Sequence, residues 1–157
     1  MPSQSCSEVQ FARGSTVRLS VVSRTKDSYL AKVPVISIID DDVSVRIAIS
    51  RLIRSLGYLA HAFASADEFL KSQHVSDTSC VITDVQMPGT TGIELQKLLH
   101  EQDRPLPIIF ITAFPEDNIR AQALEAGAVD LLSKPFNGTK LIECIERALR
   151  STGAESP

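Results

Sequence analysis

The chain has 157 residues, 43% of them hydrophobic and 22% charged, enough apolar material for one domain with a genuine core and too much for a wholly disordered chain. Its net charge of −3 is uneven: residues 1–33 carry +3, leaving −6 on the rest, and an acidic body lacks the basic stripe of a protein that binds nucleic acid directly. No run approaches the ~18 apolar residues of a membrane span, and Cys6, Cys80 and Cys144 are too scattered for a disulfide framework or a zinc site. They read as reduced thiols of a cytoplasmic protein. His61, His74 and His100 are equally scattered along the chain, so no histidine-based metal or catalytic site is expected.

Residues 1–33 hold seven serines and no sustained period of 2 or 3.6, and are expected to form a flexible extension. Regular patterning starts at Pro34. Residues 34–39 form a short apolar run ending in Asp40-Asp41-Asp42, a buried strand feeding a helix over about 43–56 that places Val45, Ile49, Leu52 and Leu56 on one face. Asp42 is expected to cap that helix and Gly57 to stop it. Residues 58–63 read as a second strand, and Ser65-Ala-Asp-Glu68 as a capping box opening a short helix to about Ser72. Residues 80–83 form a third strand, followed by Asp84 and the turn Met87-Pro88-Gly89. A helix over about 92–102 follows, then a fourth strand at 107–111. Pro115 is expected in the first turn of the next helix, which Gly127 closes. A fifth strand at 129–132 and an amphipathic helix including 141–149 complete a domain over 34–151, with residues 152–157 as a tail.

Strands alternating with helices at this spacing predict a doubly wound α/β fold, a flavodoxin-like (βα)5 parallel sheet in the order 2-1-3-4-5. Ligands of such sheets bind beyond the carboxyl ends of the strands, where strand order reverses. Strand 1 ends in Asp40-Asp41-Asp42, strand 3 in Asp84, strand 4 in Thr112-Ala113 and strand 5 in Ser133-Lys134-Pro135. Clustered carboxylates repel unless a cation neutralises them, and an all-oxygen donor set suits a hard ion such as Mg²⁺. A lysine and a hydroxyl beside that ion suit a phosphoryl group. Asp84 then has two roles open to it, metal ligand or nucleophile.

Four segments, in order, resemble the receiver domain of two-component response regulators, a family that includes the chemotaxis and the nitrogen-fixation and nodulation regulators. They are Ile38-Ile39-Asp40-Asp41-Asp42, Val81–Gly89 around Asp84, Ile111-Thr112-Ala113, and Lys134-Pro135-Phe136. The resemblance implies that Asp84 accepts a phosphoryl group from a sensor histidine kinase or phosphotransfer protein. It implies that Asp41 ligates Mg²⁺ directly, Asp40 through water, Asp84 with them, and Gln86 through its backbone carbonyl. Lys134 would ion-pair with the phosphate next to a cis peptide, Thr112 would move onto it as the switch, and small Ala113 would leave room for its entry.

One position departs from the family. Receivers usually carry Tyr or Phe three residues before the lysine, where this chain has Leu131, so the switch is read differently or with smaller amplitude. Bulky Phe114, two past Thr112, is expected to shield the phosphate from water. The expected function is a bacterial, cytoplasmic, single-domain switch acting on a downstream protein, not an enzyme. A homodimer through the face of the fourth helix, fifth strand and fifth helix is a further expectation, with Arg120, Asp130, Lys140 and Arg147 as its charges. Two alternatives stand beside this: a phosphorylation-independent interaction module, and a Mg²⁺ phosphohydrolase of the haloacid-dehalogenase type. The latter needs a second carboxylate two residues past Asp84, where Gln86 stands.

Overall fold

Strands β1 (Val35–Ile39), β3 (Cys80–Asp84) and β4 (Ile108–Thr112) are buried at every position, as strands covered on both faces must be. The computed structural model describes residues 33–153, so the expected N-terminal extension and the end of the C-terminal tail lie outside the described residues. In chain order β1 is followed by α1 (Val43–Ser55), β2 (Leu59–Phe63), α2 (Ala66–Lys71), β3, α3 (Gly92–Glu101), β4, α4 (Asp117–Glu125), β5 (Asp130–Ser133) and α5 (Gly138–Gly153). The sheet runs β2-β1-β3-β4-β5 and every pair is parallel, as expected.

Side chains alternate across the sheet and make two cores. On one face Ile39, Val81, Phe110 and Leu131 pack with Phe69 of α2, Leu95 and Leu99 of α3, and Ala123 of α4. On the other, Ile36, Ile38, Ile82, Ile109 and Ile111 pack with Ile49 and Ile53 of α1 and Leu141, Cys144 and Ile145 of α5. Burial at the β1/β3 centre fixes the strands whose carboxyl ends carry the acidic residues.

Several element ends differ from expectation. Helix α4 begins at Asp117 with Glu116 as its cap, which leaves Pro115 outside the first turn. Glu68 does not close a box onto the N–H of Ser65; its Oε1 reaches one residue further back, to the N–H of Ala64 at 2.6 Å. The full capping box belongs instead to α3, where Thr91 and Glu94 satisfy each other's N–H groups. Helix α5 includes 141–149 as expected; it starts at Gly138, with the N–H of Lys140 donating to Asn137 Oδ1. Gly57 at φ +90° and Gly127 at φ +100° end α1 and α4 as expected.

The scattered histidines are not all separate. His61 on β2 and His74 in the α2–β3 loop stack with centroids 3.8 Å apart and planes 17° from parallel, and Asp77 Oδ2 lies 3.8 Å from His74 Nδ1. Burial, then the neighbouring His74, hold the His61 imidazole below its ordinary pKa of 6.5; Asp77 opposes them and Arg54 adds to them. The unfolded chain therefore takes up this proton first. Stability is whole above pH 6.5 and falls as pH drops through it. Melting temperature is expected to decline between pH 7.5 and 5.5, and less steeply in His61→Gln; equal slopes in both would show that the stack contributes nothing.

Candidate functional site

The three consecutive aspartates at the end of β1 do three different things. Asp42 adopts an extended backbone and accepts the N–H of Ser44 at 2.8 Å, capping α1 as expected. Asp40, only 2% exposed, turns back and accepts the N–H of Asp42 on Oδ1 at 2.8 Å, while its own carbonyl accepts from Arg46 Nη1 at 2.5 Å. Asp41, between them, is exposed.

At the end of β3, Asp84 is buried, and its Oδ1 accepts the N–H of Gln86 at 3.2 Å. The chain then turns through Gly89 at φ +79°, and α3 begins against the strand it has just left. The N–H of Gly92 donates to the Val85 carbonyl at 2.9 Å. A Cβ at Gly92 would lie 2.3 Å from the Asp84 carbonyl oxygen, so only glycine lets α3 seat this closely.

Strand β4 supplies Thr112, 1% exposed, whose Oγ1 accepts the N–H of Phe114 at 3.1 Å. The Thr112 carbonyl accepts the N–H of Lys134 at 2.8 Å, which carries the β4–β5 pairing one step past the sheet. The Lys134–Pro135 peptide is cis. Lys134 Nζ stands 2.9 Å from Asp40 Oδ2 and 2.9 Å from Asp84 Oδ2, joining strand ends 1, 3 and 5.

Burial pushes the Asp40 carboxyl above its ordinary pKa, a rise that the Asp42 N–H and Lys134 do not cancel and that the neighbouring Asp84 charge reinforces. Burial also works against the Lys134 ammonium, yet its hydrogen bonds to Asp40 and Asp84 and the charge of both outweigh it and raise its pKa. One carboxylate oxygen each from Asp40, Asp41 and Asp84 lie within 4.8 Å of one another, the one such His/Cys/Asp/Glu cluster among the described residues. With oxygen donors alone and one exposed member open to solvent, the set fits a hard dication that keeps some of its water.

The other residues singled out from the sequence fall around this centre. Ala113 and Gln86 are exposed beside Thr112 and Asp84. Phe114, expected to shield the phosphate from water, is 62% exposed. Leu131 is buried in the core on the α4 side of β5. Asp130 is clamped within the chain: Arg120 of α4 reaches its Oδ1 at 3.1 Å and Arg147 of α5 its Oδ2 at 3.2 Å. Burial raises the Asp130 pKa, but the Leu131 N–H and the two guanidiniums outweigh it and hold the carboxyl below the ordinary range.

Sequence reasoning missed Gly92, Gln96 and Arg46 as parts of this architecture. For Gly92 a signal exists, a glycine opening a capped helix directly behind the Asp84 turn. Thr91-Gly-Ile-Glu94 also carries a readable box. For Gln96 the signal is its spacing, three residues from both Ile93 and Leu99, which puts a polar side chain on the apolar stripe of the helix.

A profile of the family described as "Response regulator receiver domain" matches residues 36–146. Response regulator protein TodT of Pseudomonas putida is 40% identical over 116 residues, 74% of this chain and 51% of that protein. Nodulation protein W of Bradyrhizobium diazoefficiens is 38% identical over 114 residues, 73% and 50% of the two chains. The chain thus spans about half the length of these curated relatives. Among solved structures, the Vibrio cholerae chemotaxis protein CheY4 superposes with a TM-score of 0.68 at 28% identity, over 74% of this chain and 98% of that one. Among the described residues, no helix is long and apolar enough to cross a membrane.

Proposed function

The chain belongs to the response regulator receiver domain family, and on that premise we propose that Asp84 accepts a phosphoryl group from the phosphohistidine of a sensor histidine kinase or phosphotransfer protein. The observation that carries this reading is the Lys134 ammonium held at 2.9 Å from both Asp40 and Asp84, inside a cluster of three carboxylates. A cation so placed is poised to stay with the oxygen charge when a phosphoryl group arrives.

In the step itself, the phosphorus–nitrogen bond of the donor breaks and a phosphorus–oxygen bond forms to an Asp84 carboxylate oxygen. The imidazole leaves with the electron pair and takes a proton from solvent. Asp40, Asp41, Asp84 and the Gln86 carbonyl would hold Mg²⁺, which supplies charge neutralisation at the transferring oxygens. Lys134 then pairs with a phosphate oxygen, and the Thr112 hydroxyl, now accepting from Phe114 N–H, is the donor within β4 that can turn toward it. The change is passed to a downstream protein, in the bacterial cytoplasm, without direct contact to nucleic acid. A homodimer through α4, β5 and α5 is one form that output can take, with Lys140 and the Arg120–Asp130–Arg147 clamp on that surface.

Gln86, exposed and without acid–base capacity, speaks against phosphohydrolase chemistry at the same aspartate. The test is intact mass after incubation with acetyl phosphate, with and without Mg²⁺. Wild type is expected to gain one phosphoryl group only with Mg²⁺, and Asp84→Asn none. An equal gain in Asp84→Asn would move the acceptor elsewhere. No gain, together with melting that ignores Mg²⁺, would favour the phosphorylation-independent interaction module.

A further inference from the structure

Helix α4 is held to the domain by little apolar surface. Ala123 is its one buried residue, Ile119 is partly buried, and Leu124 faces solvent. Its cap residue Glu116 makes no side-chain capping hydrogen bond. Two polar tethers stand in place of that surface. From the outside, Arg120 donates to the Leu131 carbonyl at 2.7 Å and to Asp130. From the inside, Gln96 of α3, 2% exposed, donates through Nε2 to the Ala123 carbonyl at 3.3 Å.

That carbonyl lies in the last turn of α4, where backbone acceptors have no helical partner, and its other donor is the N–H of Ala128 at 3.0 Å. The Gln96 amide therefore completes the end of α4 from a neighbouring helix. It does so at a cost, because Oε1 of Gln96 is buried and has no hydrogen-bond partner among the described residues. A methionine or leucine would fill the same space without that defect. Gln96 also stands one turn after Gly92, on the same face of α3, and Gly92 is the residue seated on the Asp84 carbonyl.

We propose that Gln96 is a positioning residue for α4: the buried link through which α3, seated on the Asp84 end of β3, sets the place of α4's last turn. The claim that this link carries the phosphoryl signal rests on the function proposed above; the positioning of α4 does not. With Leu131 fixed in the core, the α3 route offers α4 a connection to Asp84 that needs no side chain of β5 to swing.

The test is amide hydrogen exchange of Gln96→Met against wild type, both unphosphorylated. Amides from Arg120 to Ala126 are expected to exchange about tenfold faster in the variant, with α1 and α5 unchanged. The melting temperature is expected to be equal or higher, because the orphaned oxygen is gone. Unchanged α4 exchange would overturn the proposal, and so would faster exchange in all helices with a lower melting temperature, the mark of a merely structural residue. Should Gln96→Met fail to melt cooperatively, Gln96→Leu serves the same comparison. After acetyl phosphate, the change in α4 exchange shown by wild type is expected to be at least halved in the variant; an intact change, or none in wild type that has taken up phosphoryl, would overturn the signalling role. Wild type that takes up no phosphoryl group and whose melting ignores Mg²⁺ would sink the phosphoacceptor reading and leave the first comparison to decide the positioning of α4.

Discussion

Lys134→Met is expected to melt roughly 10 °C below wild type, corresponding to about 2–4 kcal/mol of lost stability. Methionine keeps much of the side-chain volume, so the loss is electrostatic. In wild type one ammonium lies 2.9 Å from two carboxylates, and Asp40 is almost wholly buried. Removing the cation leaves two like charges facing each other with desolvation uncompensated. The cost stops short of the upper range for a broken buried pair because burial already favours the protonated form of Asp40. Added Mg²⁺ is expected to recover part of the loss, since a dication among Asp40, Asp41 and Asp84 neutralises the same charge. Differential melting with and without Mg²⁺ checks both statements. A variant melting with wild type would mean that the two 2.9 Å contacts contribute nothing net.

The fold was legible because the buried strands are short apolar runs, set off by Pro34 and Asp40, by Asp84 and by Pro107, and because parallel crossovers leave few topologies. Asp40, Asp84, Thr112 and Lys134 were legible as a group for the same reason: each follows on such a run, directly or, for Lys134, after Ser133, and parallel strands bring their carboxyl ends to one rim. What stayed hidden depends on which side chain meets which across long separations. Lys134 could be placed at the rim, but not its simultaneous contact with Asp40 and Asp84. His61 and His74 sit far apart in the chain until the α2–β3 loop folds one ring over the other. Gln96 stands at helical spacing from the buried Ile93 and Leu99, so its position is legible as inward-facing; its partner, the Ala123 carbonyl of α4, is not. One element start was missed for a local reason: Pro115 suits a first turn, but Glu116 takes the cap.

The Arg120–Asp130–Arg147 clamp bears on how the α4–β5–α5 surface can be used. Its three charges are engaged with one another, so a partner using Asp130 must first displace at least one guanidinium. Arg120 also holds the Leu131 carbonyl, which makes any such displacement a change in how α4 sits on β5. Together with Gln96, this places α4 between a surface tether and a buried one, both polar.

Gly92→Ala is expected to destabilise the domain by about 2–3 kcal/mol, even though alanine is the better helix former by about 1 kcal/mol. The new Cβ would meet the Asp84 carbonyl oxygen at 2.3 Å, the Val85 Cα at 3.1 Å and the Phe110 ring at 3.0 Å. Two of these are backbone atoms, which cannot rotate away as a side chain would. Either α3 must lift from β3 or the end of β3 must move. Both displace the peptide that carries the proposed phosphoacceptor, so phosphoryl uptake from acetyl phosphate is expected to slow by on the order of tenfold, with the acceptor still Asp84. Gly138→Ala supplies the control, because a Cβ there meets nothing within 4 Å and α5 gains the helix preference without a clash. Thermal melts and uptake rates of the two variants side by side decide the matter. If Gly92→Ala melts and reacts as Gly138→Ala does, the close seating of α3 on the Asp84 carbonyl is not what positions the site.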